Sequence, residues 1–290
     1  MLDNVKSKYI LQEIFENIKD KRKLNIIKHN KREMIKLDIN KEDFEIYITL
    51  KKYNNKYKVN IKDIDTKKII LNNRCGNEGL KDLIKINFNN LEVLNLSGNK
   101  ISDINILEKV NFQKLKELDL GSNNIDNINV LGKVNFYNLE ILSLNNNNIS
   151  DINILEKANF KELKKIYLFR NNISDIKVLE KVKLDKLEIL SLSKNKISDI
   201  NILEKVKFKE LKDLYLNGNN ISDIKVLSKF QFNKLEHLNL YRNKITDISI
   251  LENVNFNGLI GLNLDDNGKD EKKYESLILR LKSIIKEFSI

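Results

Sequence analysis

Leucines recur along most of the chain with a spacing of 24 residues. Each opens the pattern L-x-x-[LI]-x-L-x-x-N, and the eight openings are Leu91, Leu115, Leu139, Leu163, Leu187, Leu211, Leu235 and Leu259. In LEILSLSKN (187–195), leucines alternate with other residues at a period of two, which predicts a short strand with one apolar face. A fixed repeat of this length predicts a solenoid, in which the strands of successive units stack as a parallel sheet.

An asparagine ends each of these strand patterns. The eight are Asn99, Asn123, Asn147, Asn171, Asn195, Asn219, Asn243 and Asn267. Where a chain turns away from a strand, backbone N–H and C=O groups lose their ladder partners, and an inward carboxamide can both donate and accept. We therefore predict that these asparagines form a structural ladder along the solenoid.

The second half of each unit predicts a short helical turn on the other side of the solenoid. Seven units continue with x-I-x-[DN]-I-x-[IV]-L, and in six of them Ser or Thr precedes the Asp as the expected helix start. An aromatic row is predicted in the core, formed by Phe88, Phe112, Phe136, Phe160, Phe208, Phe232 and Phe256, with Leu184 in the remaining place.

The repeat resembles the leucine-rich repeat, and its D-I-x-x-L half is similar to the repeats of internalins and of phosphatase regulators. The resemblance covers about 91–267, seven full units and a partial eighth. It implies an α/β solenoid: a horseshoe or arc with a parallel β-sheet on its concave face and short helical turns on its convex face. Function in such a fold belongs to the extended concave surface.

A second period of 48 residues is superimposed on the first. The residue after the opening leucine alternates in charge, through Glu92, Lys116, Glu140, Lys164, Glu188, Lys212 and Glu236. Because side chains at the same position of neighbouring strands are close together, the alternation predicts a ladder of opposite charges rather than a column of like charges.

Different patterns flank the repeats. Residues 1–36 are predicted to be helical. Residues 37–90 are predicted to form an α+β cap, with a β-hairpin from FEIYITL (44–50) and YKVNIKDI (57–64) and an entry half-repeat. The stretch KKIIL (67–71) is either a third strand of that cap or the edge of the solenoid. Apolar residues at helical spacing predict a capping helix over 268–290.

The helical stretch YILQEIFENIKDKRKLNIIKHNK (9–31) resembles an F-box, although it lacks the usual Leu-Pro start and the Trp near the end. F-box proteins often carry leucine-rich repeats that select a ubiquitylation target. The resemblance implies that residues 4–36 contact a ubiquitin-ligase adaptor. The alternative is that these helices only cap the solenoid.

Composition narrows the possible functions. The chain has two histidines and one cysteine, Cys75, and no phosphate-binding loop, metal-spaced set or catalytic triad spacing, so we expect neither an enzyme nor a cofactor or metal. The net charge is +11, but the excess is scattered over the first 90 residues, and nucleic-acid binding is a minor alternative. Without a signal peptide or an 18-residue apolar run, the chain is expected to be intracellular and cytoplasmic, with no membrane span.

Subtracting the repeat consensus isolates the variable residues of the strand face. Those in the later units are of types enriched at binding hot spots, and the predicted partner-binding residues are Lys165, Tyr167, Phe169, Arg170, Lys194, Asp213, Tyr215, His237, Tyr241 and Arg242. We name this set the aromatic-basic patch. It predicts a non-catalytic scaffold or adaptor for an acidic, partly apolar protein partner. An F-box-like substrate receptor and a phosphatase-regulatory protein are the alternatives.

Overall fold

The structure is a computed structural model that describes residues 41–229 and 233–290, without the side chains of 41–44 and 47. The chain divides into two compact units, Met1–Lys56 and Tyr57–Ile290. In the first unit, the described part is helix α1 (Lys41–Tyr57), apart from its last residue. The helices and F-box-like stretch predicted in residues 4–36, and the core residue Phe232, lie outside the described residues.

One parallel sheet organises the described part of the second unit. Its strands follow chain order: β1 (Lys68–Ile70), β2 (Val93–Asn95), β3 (Glu117–Asp119), β4 (Ile141–Ser143), β5 (Lys165–Tyr167), β6 (Ile189–Ser191), β7 (Asp213–Tyr215), β8 (His237–Asn239), β9 (Gly261–Asn263) and β10 (Glu287–Ser289). The register keeps equivalent residues together, so that Leu94 pairs with Leu118 and Leu118 with Leu142. The predicted parallel sheet is confirmed.

Short helices return the chain from one strand to the next. Seven are 3₁₀ helices: Asn105–Lys109, Asn129–Gly132, Asn153–Glu156, Lys177–Glu180, Asn201–Glu204, Lys225–Lys229 and Ser249–Asn253. Helix α2 (Gly76–Leu83) follows β1, and helix α3 (Glu275–Ile284) precedes β10. The predicted helical turns opposite the strand face are therefore present.

The residue that starts each 3₁₀ helix differs from the prediction. The Asp of the Ser-Asp pair, and not the Ser, accepts the first hydrogen bond, as Asp151 Oδ1 does from Asn153 N at 2.8 Å. Asn127 has the same role for Asn129 N at 2.9 Å. An Asp accepts in this way from the N–H two residues on, a local geometry that the helix-start pattern of the sequence did not separate from a Ser cap.

The core lies between the sheet and these helices. The middle residue of each strand points inward, and most of the leucines and isoleucines there are almost fully buried. Phe112 and Phe136 stack with ring centroids 6.5 Å apart and an interplanar angle of 15°. Close packing of equivalent side chains from unit to unit makes the hydrophobic contribution nearly the same in every repeat.

The asparagine ladder connects each unit to the one before it. Asn147 Nδ2 donates to Leu120 O and Leu144 O, both at 3.0 Å, and Asn147 Oδ1 accepts from Ile125 N at 3.0 Å. The same arrangement recurs at Asn171 and Asn195. Each carboxamide thus satisfies buried backbone groups of two successive units at the turn out of the strand.

The predicted charge ladder forms between neighbouring units. Lys116 Nζ lies 2.9 Å from Glu92 Oε2, and Lys164 Nζ lies 2.7 Å from Glu140 Oε2. Lys67 adds a second ion pair to Glu92 at 3.0 Å. Hydrogen bonds from Lys116 and Lys67 lower the pKa of Glu92 from 4.5 to about 2. Exposed pairs of this kind favour the correct register more than they add stability.

The predicted β-hairpin before the repeats is wrong. Residues 44–50 belong to helix α1, and 57–64 contain no strand. Leu50 and Tyr53 are both buried, and their spacing of three residues fits one side of a helix. The alternation in FEIYITL covers only seven residues, and over that length a period of two does not exclude a helix.

The stretch 67–71 is the edge of the solenoid and not part of a separate cap. Strand β1 pairs with β2 in parallel, with Ile69 opposite Leu94. The turn that follows also uses the ladder, because Asn99 Oδ1 accepts from Arg74 N and Cys75 N, both at 2.7 Å. Cys75 is buried, as expected for a structural cysteine.

The C-terminal cap is a helix followed by a strand. Helix α3 buries Leu277, Ile278 and Leu281. The chain then becomes extended, and β10 pairs with β9, with Phe288 opposite Leu262. The prediction of one helix to residue 290 is therefore wrong beyond Ile284. Pairing satisfies the backbone groups of β9 that a continuing helix would leave unpaired.

We expect replacement of a ladder asparagine to destabilise the solenoid. Asn147→Leu leaves the buried Ile125 N–H without its acceptor and removes two donors, so the free energy of unfolding should fall by about 2–3 kcal/mol. Asn148→Leu, at the exposed neighbouring position, is the matched control and should change it little. Urea unfolding followed by circular dichroism measures both, and equal effects would contradict the structural role of the ladder.

The C-terminal cap should be sensitive to acid. Asp247 Oδ1 accepts from Ser249 N at 2.9 Å and from the hydroxyl of Tyr274 at 2.8 Å. These hydrogen bonds, that from Ser249 first, lower the pKa of Asp247 from 3.8 to about 2. Because the pKa is lowered in the folded state, the stabilisation is complete above pH 3.8 and is lost as the pH falls through about 2.

Tyr274→Phe tests this link between the cap and the last repeat. The pKa of Asp247 should rise towards its ordinary value, and the acid-induced decrease in melting temperature should begin at a higher pH. Carbon-13 NMR of the Asp247 carboxyl and melting curves between pH 2 and 6 measure the two effects. Tyr137→Phe, at an exposed tyrosine that contacts Asn135, should leave both unchanged.

Candidate functional site

The register of the sheet arranges the aromatic-basic patch in four columns on the solvent-facing side. The first strand position holds Lys165, Asp213 and His237; the third holds Tyr167 and Tyr215; the fifth holds Phe169 and Tyr241; the sixth holds Arg170, Lys194 and Arg242. Parallel strands lie about 4.8 Å apart, so the patch spans roughly 14 Å from β5 to β8. Residues that are distant in the chain therefore share one surface.

Small residues flank the two tyrosines of the third column. Successive strands place Ser143, Tyr167, Ser191 and Tyr215 side by side. Ser143 and Ser191 are only 9% and 6% exposed, because larger rings stand on the neighbouring strands. This alternation of small and large side chains follows the 48-residue period. The serines contact the tyrosine rings from the side, and because they are small they leave the ring edges available to a ligand.

Both tyrosine hydroxyls lie in the field of the Asp213 carboxylate, and that of Tyr167 also lies in the field of Glu117. Burial raises the pKa of Tyr167 and of Tyr215, and the negative charge of Asp213 raises both further. Tyr215 also donates to Asp213 Oδ1 at 3.4 Å. The phenols therefore remain protonated and act as hydrogen-bond donors at neutral pH.

Asp213 and His237 form a pair across neighbouring strands. The Nδ1 atom of His237 lies 2.8 Å from Asp213 Oδ1, so the protonated Nδ1 donates to this carboxylate. The other ring nitrogen, Nε2, lies 3.9 Å from Glu287 Oε2 on β10. Asp213 and His237 belong to the predicted partner-binding residues, whereas Glu287 does not, because the sequence pattern predicts a helix at that residue.

The sixth column carries conformational strain. Arg170, Lys194 and Arg242 have φ values of 57°, 52° and 55°, in the left-handed region. Gly98 and Gly218 hold the same register with φ values of 69°. For a residue with a side chain this conformation costs about 1–2 kcal/mol, so glycine would suit the backbone better than arginine or lysine.

In the fifth column, two aromatic rings are separated by two units that carry smaller polar side chains. Backbone hydrogen bonds place Phe169, Ser193, Asn217 and Tyr241 on successive units. Ser193 is buried, and Phe169 and Tyr241 are more exposed than it is. The basic side chains of Arg170 and Lys194 lie beside this interval and are exposed. The arrangement suits an apolar group with a negative charge next to it.

The described residues, 41–229 and 233–290, also bear on other kinds of site. In that part of the chain, no group of three or more His, Cys, Asp or Glu side chains is placed to hold a metal ion. Its helices are also all too short or too polar to cross a bilayer.

The fold and this surface define a class, the solenoid proteins built from stacked strand–helix repeats. A sequence model described as "Leucine Rich repeats (2 copies)" matches residues 89–133, 137–181 and 185–229. The chain is a leucine-rich repeat protein. No curated protein sequence matches it.

Solved structures show the same fold. An internalin, inlF, from Listeria monocytogenes is 24% identical with a TM-score of 0.60, over 77% of this chain and 65% of that one. Internalin C2 of the same organism is 24% identical with a TM-score of 0.55, over 75% of this chain and 89% of that one. The PEPR1–AtPEP1 structure is 23% identical with a TM-score of 0.51, over 70% of this chain. This chain spans 65% of inlF and 28% of the PEPR1–AtPEP1 chain.

The strain in the sixth column predicts a stabilising substitution. Lys194→Gly should raise the free energy of unfolding by about 0.5–1 kcal/mol, because glycine adopts the left-handed backbone without a steric penalty. Lys196→Gly, at an exposed residue outside the left-handed region, should lower it instead. Thermal and urea unfolding measure both, and a loss of stability in Lys194→Gly would contradict the strain argument.

Proposed function

We propose that the chain is a non-catalytic interaction protein, a scaffold or adaptor, that binds a protein partner on the concave face through the aromatic-basic patch. The observation that supports this most strongly is the sixth column, where three basic side chains occupy a left-handed backbone position. Every repeat turns through this conformation, so glycine would serve the fold at a lower cost, and an arginine or lysine at this position is expected where its side chain serves binding.

The composition of the patch supports a partner of defined chemistry. Tyr167, Phe169, Tyr215 and Tyr241 present rings along one face, and Arg, Tyr and Trp are the residue types that dominate binding hot spots. The basic column lies at one edge of these rings. The partner would therefore present apolar side chains next to carboxylates.

The fold suits this function. The outward positions vary from unit to unit while the inward positions remain leucine or isoleucine, so the surface can change without loss of the core. Leucine-rich repeat proteins commonly serve as protein-binding scaffolds.

Substitution of the four rings should abolish binding without unfolding the chain. A variant with Tyr167, Phe169, Tyr215 and Tyr241 replaced by Ser is compared with Tyr137→Ser, which removes an exposed tyrosine outside the four columns. Affinity purification from the source cell identifies partners, and each is then titrated as a purified protein. We expect the dissociation constant to rise at least about tenfold for the ring variant and to stay unchanged for the control.

Unchanged affinity in a folded ring variant would overturn the proposal. The identity of the partner separates the alternatives: subunits of a ubiquitin ligase would favour the F-box-like receptor, and a phosphatase catalytic subunit would favour the phosphatase regulator. Binding to nucleic acid with a steep loss of affinity in salt would favour the last alternative.

A further inference from the structure

A pocket lies on the concave face over strands β7 to β10, at one end of the aromatic-basic patch, with which it shares Tyr215 and His237. Its volume is about 420 Å³, and its lining includes Tyr215, His237, Asn239, Gly261, Asn263 and Glu287. A pocket of this size accommodates one large side chain together with part of its main chain. We name it the Gly261 pocket.

The pocket depends on the absence of a side chain at Gly261. This glycine is the register neighbour of His237 on β8 and of Glu287 on β10. A Cβ atom at residue 261 would lie 2.8 Å from Cδ2 of His237 and 3.5 Å from Glu287 Oε2. The side chains on both sides therefore extend into the space over the glycine.

Two hydrogen-bond acceptors face each other across this space. In the tautomer whose Nδ1 donates to Asp213 at 2.8 Å, Nε2 carries a lone pair, and it faces Glu287 Oε2 at 3.9 Å. This distance is too long for a direct hydrogen bond. A group with several N–H donors and a positive charge, such as a guanidinium or an ammonium, would satisfy both acceptors.

The charges around the pocket favour a cation. Within residues 41–229 and 233–290, no Lys or Arg nitrogen lies within 4.0 Å of the carboxylates of Asp213 or Glu287. Glu287 is 61% exposed and accessible to a ligand. The lining itself has one basic and one acidic side chain, Lys286 and Glu287, and the carboxylate of Asp213, which contacts His237, adds a second negative charge next to it.

Two carboxamides add donors for a main chain. Asn239 Oδ1 accepts from Tyr241 N, and Asn263 Oδ1 accepts from Asp265 N, both at 3.0 Å. The Nδ2 groups have no protein acceptor among the described residues, whereas Asn95 Nδ2 at the same register donates to Asp119 Oδ2. Carbonyl oxygens of an extended segment would be suitable acceptors.

We infer that the Gly261 pocket binds a lysine or arginine side chain that a partner protein presents in an extended segment. The cation lies between His237 Nε2 and the Glu287 carboxylate, and main-chain carbonyls accept from Asn239 and Asn263. The inference rests on the proposed function and deepens it, because it adds a cationic anchor to the acidic and apolar features already assigned to the partner. The basic column lies five residues further along the chain, in the turn after the strands, so the two charges of the partner would lie near opposite ends of the strands.

A short peptide tests the pocket without the native partner. Acetyl-Ala-Arg-Ala-amide is titrated into the isotope-labelled full chain at pH 8, where an imidazole is neutral, and NMR shifts are followed. We expect saturable shifts at Gly261, His237 and the side-chain amides of Asn239 and Asn263, with a dissociation constant of about 1–10 mM. The citrulline peptide, which has the same shape without the charge, should bind at least about fivefold more weakly.

Two variants and one control complete the test. Glu287→Gln removes the exposed carboxylate and should weaken binding about tenfold. Gly261→Ala fills the floor of the pocket and should abolish the shifts. Gly121→Ala places a similarly close Cβ on the same sheet face, 2.9 Å from Asn145 Nδ2, and should bind as the unchanged chain does.

Equal binding of the arginine and citrulline peptides, absence of saturable shifts, or full binding by Glu287→Gln would each overturn the inference. The Glu287→Gln result remains informative if Gly261→Ala does not fold. Failure here is distinguishable from failure of the proposed function, because the ring variant is measured with a native partner and the pocket with a peptide. If the ring variant does not bind the native partner and the unchanged chain does not bind the arginine peptide, the aromatic-basic patch is a binding site and the Gly261 pocket is not.

Discussion

The hydrogen bonds of the buried asparagine ladder determine the geometry on which the rest of the structure depends. A strand of three residues cannot satisfy the backbone of the turn that follows it, and a turn of this kind is repeated in every unit. Asn147 satisfies backbone carbonyls of its own unit and of the preceding one, since its Nδ2 donates to Leu144 O and to Leu120 O. Because the bonds cross from unit to unit, each repeat is held in register with its neighbour.

Fixed register turns a separation of 24 residues into physical contact. The ion pair of Lys164 with Glu140 and the hydrogen bond of His237 with Asp213 both follow from it. The same rule places Tyr167 between the small residues Ser143 and Ser191, and Tyr215 beside Ser191. The chemistry of this protein is therefore arranged in columns across the sheet, and short motifs along the chain do not reveal it.

Sequence reasoning succeeded where the repeat supplies many copies of one signal and failed where a segment occurs once. The leucine and asparagine periods predicted the sheet and the ladder, because every unit repeats the same physical requirement. Helix α1 was missed because a seven-residue alternation also fits a helix. Strand β10 was missed because its three residues become a strand only by pairing with β9, and the pocket at Glu287 was missed with it. The neighbouring positions of Asp213, His237 and Gly261 were available from the register, but the position of Glu287 beside Gly261 was not.

The contrast between the two faces of the sheet separates what the fold requires from what it permits. Inward positions must fill a constant space, and they remain leucine or isoleucine in unit after unit. Outward positions do not have to fill the core. An aromatic ring there is therefore not required by the fold, and it costs little stability. The sixth column is different, since all nine of its residues from β1 to β9 adopt a left-handed backbone and two are glycine. Arg170, Lys194 and Arg242 oppose that preference. A charge that is kept against the local backbone is better evidence for a role in binding than an exposed ring is, because the ring could be replaced without any effect on the fold.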